Sequence, residues 1–208
     1  MSNIKAVLFD LDGVLVDACD WHFFALNRAL EETVQWHIDR YDHEKVYNGL
    51  PTRVKLNMLV EKGIIRPEQI DDIAELKQKK VKEIIEEELA NEDPTKVLMI
   101  KELWAKNIKL AVVTNSIRET TEMMLDKCGI LQYFDTIITN EDVVNGKPNP
   151  TGYIQAAINL GLTIEDCAIV EDSPKGIQAA KNAKPGLLIE VRNATEVDLM
   201  LMDKHEII

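Results

Sequence analysis

The chain has 208 residues, 46% of them hydrophobic and 29% charged, a composition typical of a globular protein that folds in water. Its formal net charge of -12 argues against nucleic acid as a partner, because a protein that neutralises backbone phosphates needs a face rich in lysine and arginine. The sequence contains neither a run of ~18 apolar residues, the length of a membrane helix, nor a signal-peptide pattern at "MSNIKAVLFD". We therefore expect a cytoplasmic protein with no membrane or nucleic-acid partner, and we favour a monomer.

The first predicted strand lies in the segment "VLFDLDGVLVD", Val7 to Asp17, where an apolar run stops at two acids. Similar runs recur along the chain, and helical patterns rather than hairpin turns separate them, which predicts βαβ units and a parallel sheet. The predicted strands are 6–9, 109–114, 136–139, 167–170 and 187–191. The helices predicted between and after the later strands are 95–106, 117–128, 150–160 and 194–208, with Gly129 and Gly161 just past two of them.

The segment between the first and second strands is far longer than one crossover helix requires, and it carries no strand signal. It predicts several helices, at 21–32, 44–48, 52–61 and 67–89. The predicted fold class is therefore α/β, with a Rossmann-like parallel sheet core formed by residues 1–16 and 94–208. We expect residues 17–93 to form a helical domain inserted after the first strand.

Polar residues follow the predicted strands at their carboxyl ends, the edge at which open parallel sheets bind ligands. Each group alone is compatible with a surface turn or a helix N-cap. Four such groups, each at the same end of its strand or in the loop beyond it, favour a functional site instead. The residues concerned are Asp10, Asp12, Thr114, Asn115, Ser116, Lys147, Glu171 and Asp172.

The residue types indicate the chemistry of this site. Crowded carboxylates repel one another and raise each other's pKa unless a cation joins them. Oxygen ligands without histidine or cysteine select a hard ion, so Mg²⁺ is the expected cofactor. Lys147 and the Thr114 hydroxyl add positive charge and hydrogen-bond donors. A hard metal beside a lysine suits a phosphoryl dianion, so we expect a small phosphorylated metabolite as the substrate.

The four motifs "DLDGVLVD", "VVTNS", "GKPNP" and "EDSPKGI" resemble those of the haloacid dehalogenase superfamily, in its phosphatase branch. The resemblance covers nearly the whole chain, because the helical insert lies where that family carries its C1 cap. It is closest to the subgroup that contains β-phosphoglucomutase and sugar-phosphate phosphatases. These motifs are specific for fold and reaction type and poorly specific for the substrate.

The resemblance implies that Asp10 is a nucleophile that takes the phosphoryl group as an aspartyl phosphate. Asp12 would protonate the leaving alcohol and then activate water. Dehalogenases of the same superfamily have no leaving alcohol to protonate and lack this second acid. The presence of Asp12 therefore disfavours a carbon–halogen reaction.

The resemblance also implies the binding residues of the core. Mg²⁺ would bind Asp10, the main-chain carbonyl of Asp12, and Asp172, and Glu171 would contribute directly or through water. The side chains implied to hold the non-bridging phosphoryl oxygens are those of Thr114, Asn115 and Lys147. Phosphoryl transfer has a loose transition state, so positioning and charge neutralisation would supply most of the catalysis.

Three residues of the insert match positions that the subgroup uses near its substrate: His22, Arg53 and Lys80. His22 lies among apolar neighbours and is equally compatible with a structural imidazole. Arg53 and Lys80 are also compatible with solvated surface positions. As a group they favour a sugar hydroxyl or an additional anion over an apolar substrate.

The predicted function is thus a Mg²⁺-dependent phosphatase for a small phosphorylated metabolite such as a sugar phosphate. One alternative is a sugar phosphomutase of the β-phosphoglucomutase type, which would share every residue of the core site. That enzyme has a threonine at the hinge position occupied here by Ala18, and losing its hydroxyl favours net hydrolysis. A minor alternative is a regulatory module without catalysis, which the intact motifs disfavour.

Overall fold

A computed structural model describes residues 4–48, 50–88 and 93–208, apart from the side chains of Cys19 and Glu88. Contacts within the chain divide it into two compact units. The first, here called the core unit, is Met1–Asp17 with Leu89–Ile208, and the second, the helical unit, is Ala18–Glu88.

The core unit is built on a five-stranded parallel sheet with the strand order β3-β2-β1-β4-β5. Its strands are β1 Ala6–Phe9, β2 Lys109–Val113, β3 Thr136–Ile138, β4 Cys167–Glu171 and β5 Leu187–Glu190. The first strand of the chain is the central one, and Ala6 lies opposite both Lys109 of β2 and Cys167 of β4. The predicted α/β fold class with a parallel sheet is confirmed.

The strands are short apolar runs because both faces of the sheet are covered. All four residues of β1 are fully buried. Leu8 belongs to a core cluster with Tyr153 and Ala179, which lie on helices that follow β3 and β4. Val7 and Phe9 point to the opposite face, because side chains alternate along a strand, and they are equally buried.

Among the described residues of the core unit, five α-helices accompany the sheet: α5 Pro94–Ala105, α6 Arg118–Lys127, α7 Thr151–Asn159, α8 Pro174–Ala183 and α9 Leu199–Lys204. The predicted strands and the predicted helices corresponding to α5, α6 and α7 agree with these bounds to within one residue at each end. Gly129 and Gly161 have φ of 69° and 70°, the left-handed conformation expected just after a helix. Helix α8 had no counterpart in the sequence prediction.

The C-terminal helix is shorter than predicted. A 3₁₀ turn, Ala194–Glu196, precedes α9, and the backbone between them is extended at Asp198. The Asp198 side chain accepts a hydrogen bond from the Leu201 amide and so starts a new helix as its N-cap. Helix α9 packs on α5, as expected for a helix that returns to the core.

The described residues of the helical unit contain helices and no strand. Its elements are α1 Cys19–Val34, α2 Arg40–Asp42, a π-helical turn His43–Tyr47, α3 Thr52–Glu61, a 3₁₀ turn Pro67–Gln69 and α4 Ile70–Glu88. The predicted helix 52–61 is thus found with the same bounds, and the predicted helix 67–89 begins as a 3₁₀ turn and has its last residue outside the described range. Helix α1 packs along α4, and residues such as Leu30, Tyr47 and Ile73 form a separate apolar core.

No helix among the described residues combines the length and the apolar character that crossing a bilayer would require.

Candidate active site

The site lies at the carboxyl edge of the sheet, where three neighbouring strands end. Asp10 directly follows β1, Thr114 follows β2, and Glu171 is the last residue of β4. Because β1 pairs with both β2 and β4 in parallel, the ends of these strands are adjacent. The sheet therefore brings the predicted acid and hydroxyl residues of the core together.

The chain turns sharply after β1. Asp10 remains attached to the sheet through its amide, which donates to the Val170 carbonyl at 3.1 Å. Gly13 has φ of +87°, which favours glycine, and a Cβ there would lie 2.2 Å from Asp172 Oδ2. The D-x-D-G sequence is thus explained by geometry, because only glycine permits this turn beside a second carboxylate.

Lys147 joins the carboxylates of two strands. Its ammonium Nζ lies 2.5 Å from Asp10 Oδ1 and 2.5 Å from Glu171 Oε1. Burial by itself lowers the pKa of Lys147, but the carboxylates of Asp10 and Glu171 outweigh it and raise the pKa. Burial raises the pKa of Asp10 well above its ordinary value, against the opposing effect of Lys147.

Glu171 is fully buried and accepts hydrogen bonds at both carboxylate oxygens. Oε1 receives the Lys147 ammonium and the Tyr153 hydroxyl, each at 2.5 Å. Oε2 receives the Asp172 amide at 3.1 Å and the Ser173 amide at 3.4 Å. A Cβ on Gly176 would lie 2.0 Å from Oε1, so this position of α8 has no room for a side chain.

Asp172 completes a group of three carboxylates. One oxygen of Asp10, one of Glu171 and one of Asp172 all lie within 4.8 Å of one another. Burial, followed by the nearby Glu171 charge, raises the pKa of Asp172 to about 7. Within the described ranges, Asp172 Oδ1 is buried and has no hydrogen-bond partner. An orphaned oxygen among crowded carboxylates, with no nitrogen or sulfur ligand in the group, fits a hard divalent ion such as Mg²⁺.

Asp12 lies outside this group of carboxylates. Its Oδ2 accepts a hydrogen bond from Ser116 Oγ at 2.9 Å, and Ser116 belongs to the loop after β2. In the same loop, the buried Thr114 hydroxyl oxygen accepts from the Ser116 amide at 3.0 Å. The two acids of the D-x-D-G segment therefore have different surroundings, one beside a lysine and the other beside a serine hydroxyl.

Asn115 contacts the backbone of Lys147. Its Oδ1 accepts from the Lys147 amide at 3.0 Å, and its Nδ2 donates to the Lys147 carbonyl at 3.4 Å. These two bonds fix the lysine backbone against the loop after β2. Sequence reasoning predicted Asn115 as a ligand of phosphoryl oxygens, and that role stays a prediction.

Arg118, the first residue of α6, and Asp142, in the loop after β3, form a further link that sequence reasoning did not identify. Arg118 donates to Asp142 Oδ2 at 2.7 Å and to the Ile137 carbonyl at 3.1 Å. Asp142 Oδ2 also accepts from the amide and the hydroxyl of Thr139, each at 2.7 Å. This network holds the start of the loop that leads to Lys147.

The residues predicted for the insert lie in different surroundings within the helical unit. Arg53 is largely exposed and pairs with Asp71 at 2.7 Å, and Lys80 pairs with Glu32 at 2.8 Å. His22 Nδ1 lies 3.1 Å from the ammonium of Lys77, a buried lysine that sequence reasoning missed.

The helical periodicity of α4 could have identified Lys77 as a buried residue. It lies four residues from Ile73 and four from Val81, both fully buried, and so falls on the buried face of α4. His43 and Lys55 are two more buried polar residues of the unit. Burial, together with the neighbouring Lys55 charge, lowers the pKa of His43 to about 4.

Comparisons with known proteins agree with this architecture. The sequence model of the family described as haloacid dehalogenase-like hydrolase matches residues 7–187. A phosphorylated carbohydrates phosphatase of Thermotoga maritima is 31% identical over 86% of this chain and 82% of its own length. A β-phosphoglucomutase of Bacillus subtilis is 29% identical over 86% of this chain and 80% of its own. The crystal structure of β-phosphoglucomutase from Clostridium difficile has the same fold, with a TM-score of 0.79, 23% identity, and coverage of 97% of this chain and 96% of the other.

The crowding at Gly176 yields a stability prediction. Replacing a helical glycine by alanine normally stabilises by about 1 kcal/mol. We expect Gly176→Ala instead to lower the free energy of unfolding by about 1–3 kcal/mol, because the new methyl group would overlap the buried Glu171 carboxylate. Urea denaturation measures the change, and Gln178→Ala, an exposed position on the same helix, is the control. A Gly176→Ala protein as stable as the wild type would contradict the described packing.

Proposed function

The chain belongs to the haloacid dehalogenase-like hydrolase family, and we propose that within it the protein is a Mg²⁺-dependent phosphatase of a small phosphorylated carbohydrate. One observation carries the proposal: the Lys147 ammonium bridges Asp10 and Glu171 at the edge of the sheet. A buried cation beside carboxylates that can hold a divalent ion gives a site suited to a phosphoryl dianion. The relative from Thermotoga maritima, a phosphatase of phosphorylated carbohydrates by name, supports the substrate class.

In this proposal Asp10 attacks the phosphorus atom. Its carboxylate oxygen forms a new bond to phosphorus while the bond from phosphorus to the ester oxygen breaks. The product of this step is an aspartyl phosphate on Asp10 and a free alcohol. Lys147, already 2.5 Å from Asp10 Oδ1, would neutralise the phosphoryl oxygens near the nucleophile, and Thr114 would donate its hydroxyl to them.

In this proposal Asp12 is the general acid and then the general base. It would give a proton to the departing alkoxide in the first step and take one from water in the second, as water displaces Asp10 from phosphorus. The hydrogen bond from Ser116 Oγ to Asp12 Oδ2 supports this role, because it restrains the carboxyl group. The two steps together release inorganic phosphate and regenerate both acids.

Enzymes of this family generally use Mg²⁺, and the cluster of carboxylates formed by Asp10, Glu171 and Asp172 fits the ion. We propose Asp10, Asp172 and the main-chain carbonyl of Asp12 as its ligands. Glu171, whose oxygens already accept hydrogen bonds from this chain, contributes directly or through water. When bound, the ion would neutralise the crowded carboxylates and the phosphoryl oxygens.

We propose that the helical unit selects the substrate, as a C1 cap. His22 with its neighbour Lys77 is the pair best suited to a sugar hydroxyl or a second anion. Arg53 and Lys80 remain candidates for the same role, although each is engaged by an acid of its own unit. The cytoplasmic location, the monomeric state and the lack of a nucleic-acid partner stay predictions.

The nucleophile assignment predicts the result of one substitution. Asp10→Asn should lower turnover by about a thousandfold or more, because an amide can occupy the position without attacking phosphorus effectively. Phosphate release is measured with a panel of sugar phosphates and p-nitrophenyl phosphate, with and without EDTA. Asp126→Asn, an exposed acid on α6, is the control and should retain full activity.

Near-normal turnover of Asp10→Asn would contradict the mechanism. Absence of metal-dependent turnover in the wild type for every compound of the panel would contradict the phosphatase proposal and favour the regulatory alternative.

The metal assignment predicts a change in stability. Mg²⁺ that binds the folded carboxylates should raise the midpoint of thermal unfolding by several degrees, at about 2–4 °C per kcal/mol for a chain of this size. Asp172→Asn should abolish most of this shift, because the amide no longer offers an anionic oxygen to the ion. Calorimetry with and without Mg²⁺ measures both proteins. An equal shift in the variant would exclude Asp172 as a ligand.

A phosphomutase of the β-phosphoglucomutase type is the second candidate, favoured by the relative from Bacillus subtilis. A phosphatase passes the aspartyl phosphate to water, whereas a mutase keeps it until a second sugar hydroxyl arrives. Ala18, at the N-cap of α1, makes no side-chain hydrogen bond there, and a hinge hydroxyl that could couple closure to Asp12 is absent. This favours net hydrolysis.

The two candidates predict different products from one mixture. With β-glucose 1-phosphate and a trace of glucose 1,6-bisphosphate, we expect free phosphate to accumulate faster than glucose 6-phosphate. Coupled enzymatic assays follow both products. Rapid formation of glucose 6-phosphate with little phosphate released would assign the protein as a mutase.

A further inference from the structure

Tyr153 has no part in the chemistry derived above, yet it contacts the centre of the site. It lies on α7 and is fully buried. Its hydroxyl donates to Glu171 Oε1 at 2.5 Å, and the Lys147 ammonium lies 5.1 Å from the centre of its ring.

The hydroxyl shares its acceptor with Lys147. Glu171 Oε1 receives both donors, while Oε2 is engaged by the amides of Asp172 and Ser173. Two donors on one oxygen divide its negative charge, so each is attracted less strongly than it would be alone. Without the hydroxyl, Glu171 Oε1 would attract the ammonium more strongly and compete better with Asp10.

A small cavity borders Lys147. A cavity of about 10 Å³, room for a single water, is lined in part by Thr114, Asn115, Lys147 and Tyr153. The lysine backbone is fixed by Asn115, whereas its four-carbon side chain has several rotatable bonds. The position of the ammonium therefore depends on the balance between its two carboxylate partners.

We infer that Tyr153 is a positioning residue: by occupying part of Glu171 Oε1, it keeps the Lys147 ammonium shared between Asp10 and Glu171 instead of drawn to Glu171 alone. The inference rests on the proposed function, because it assigns Lys147 to the phosphoryl group. Tyr153 acts through Glu171 and Lys147 and does not touch the reacting atoms.

The test removes one oxygen atom. Tyr153→Phe should lower kcat/KM for the best substrate of the panel by about tenfold, as expected for a buried hydrogen bond to a charged group. Tyr47→Phe is the matched control. Tyr47 is also fully buried, and its hydroxyl accepts from Lys62 at 2.9 Å within the helical unit. This control should keep its kcat/KM.

A double-mutant cycle separates positioning from a structural effect. In a Lys147→Met background, Tyr153→Phe should change kcat/KM by less than about twofold, because the group on which it acts is gone. Binding of inorganic phosphate in the presence of Mg²⁺, measured by calorimetry, gives a second readout. We expect Tyr153→Phe to weaken it about tenfold and Tyr47→Phe to leave it unchanged.

Wild-type kcat/KM and phosphate affinity in Tyr153→Phe would overturn the inference while leaving the proposed function intact. So would an equal loss of activity in Tyr47→Phe, or an undiminished effect in the Lys147→Met background. A wild-type protein without turnover that binds phosphate would refute the proposed function alone, and Tyr153 would then be judged by phosphate affinity. A wild-type protein with neither turnover nor phosphate binding would overturn both.

Discussion

A single buried ammonium holds the carboxyl edge of the sheet together. Lys147 is 9% exposed and lies between Asp10 and Glu171, which with Asp172 would otherwise repel one another in a poorly hydrated space. Buried ion pairs contribute little when compared with apolar side chains of the same size. Removing one partner, however, leaves an uncompensated charge that costs about 3–5 kcal/mol. Lys147 therefore stabilises the cluster of Asp10, Glu171 and Asp172, whatever further role it has in catalysis.

The strand order explains why this lysine needs so much support. Asp10 and Glu171 come from neighbouring strands, whereas Lys147 comes from the loop after β3, which is an edge strand separated from β1 by β2. The lysine must therefore reach across the end of β2. Two contacts fix the loop that carries Lys147. Asn115, in the loop after β2, binds the Lys147 backbone, and Arg118 of α6 binds Asp142 near the start of the loop after β3.

Periodicity and strand-end residues predict the fold and the core of the site well, because they depend on backbone geometry that a sequence displays directly. The core strands and three helices are found where the apolar patterns place them. Side-chain partners are less accessible. The segment "KQKKVK" offers four lysines as candidates for a substrate contact. Only the position of Lys77 on the buried face of α4 distinguishes it from Lys80. Tyr153 resembles any apolar residue of an amphipathic helix, because its hydroxyl finds its partner on a different strand.

The central position of β1 has a consequence for how the molecule folds. This strand is made first, yet its two hydrogen-bonding neighbours begin at Lys109 and Cys167, so its pairings join segments far apart in sequence. High contact order of this kind slows folding and leaves an apolar strand without a partner while the chain is being synthesised. The helical unit between β1 and β2 has an apolar core of its own, and loop closure costs grow only slowly with length, so an insertion of this size adds little to the entropic barrier. The insert therefore adds little to this cost, but β1 has both of its hydrogen-bonding neighbours only once β4 has been made.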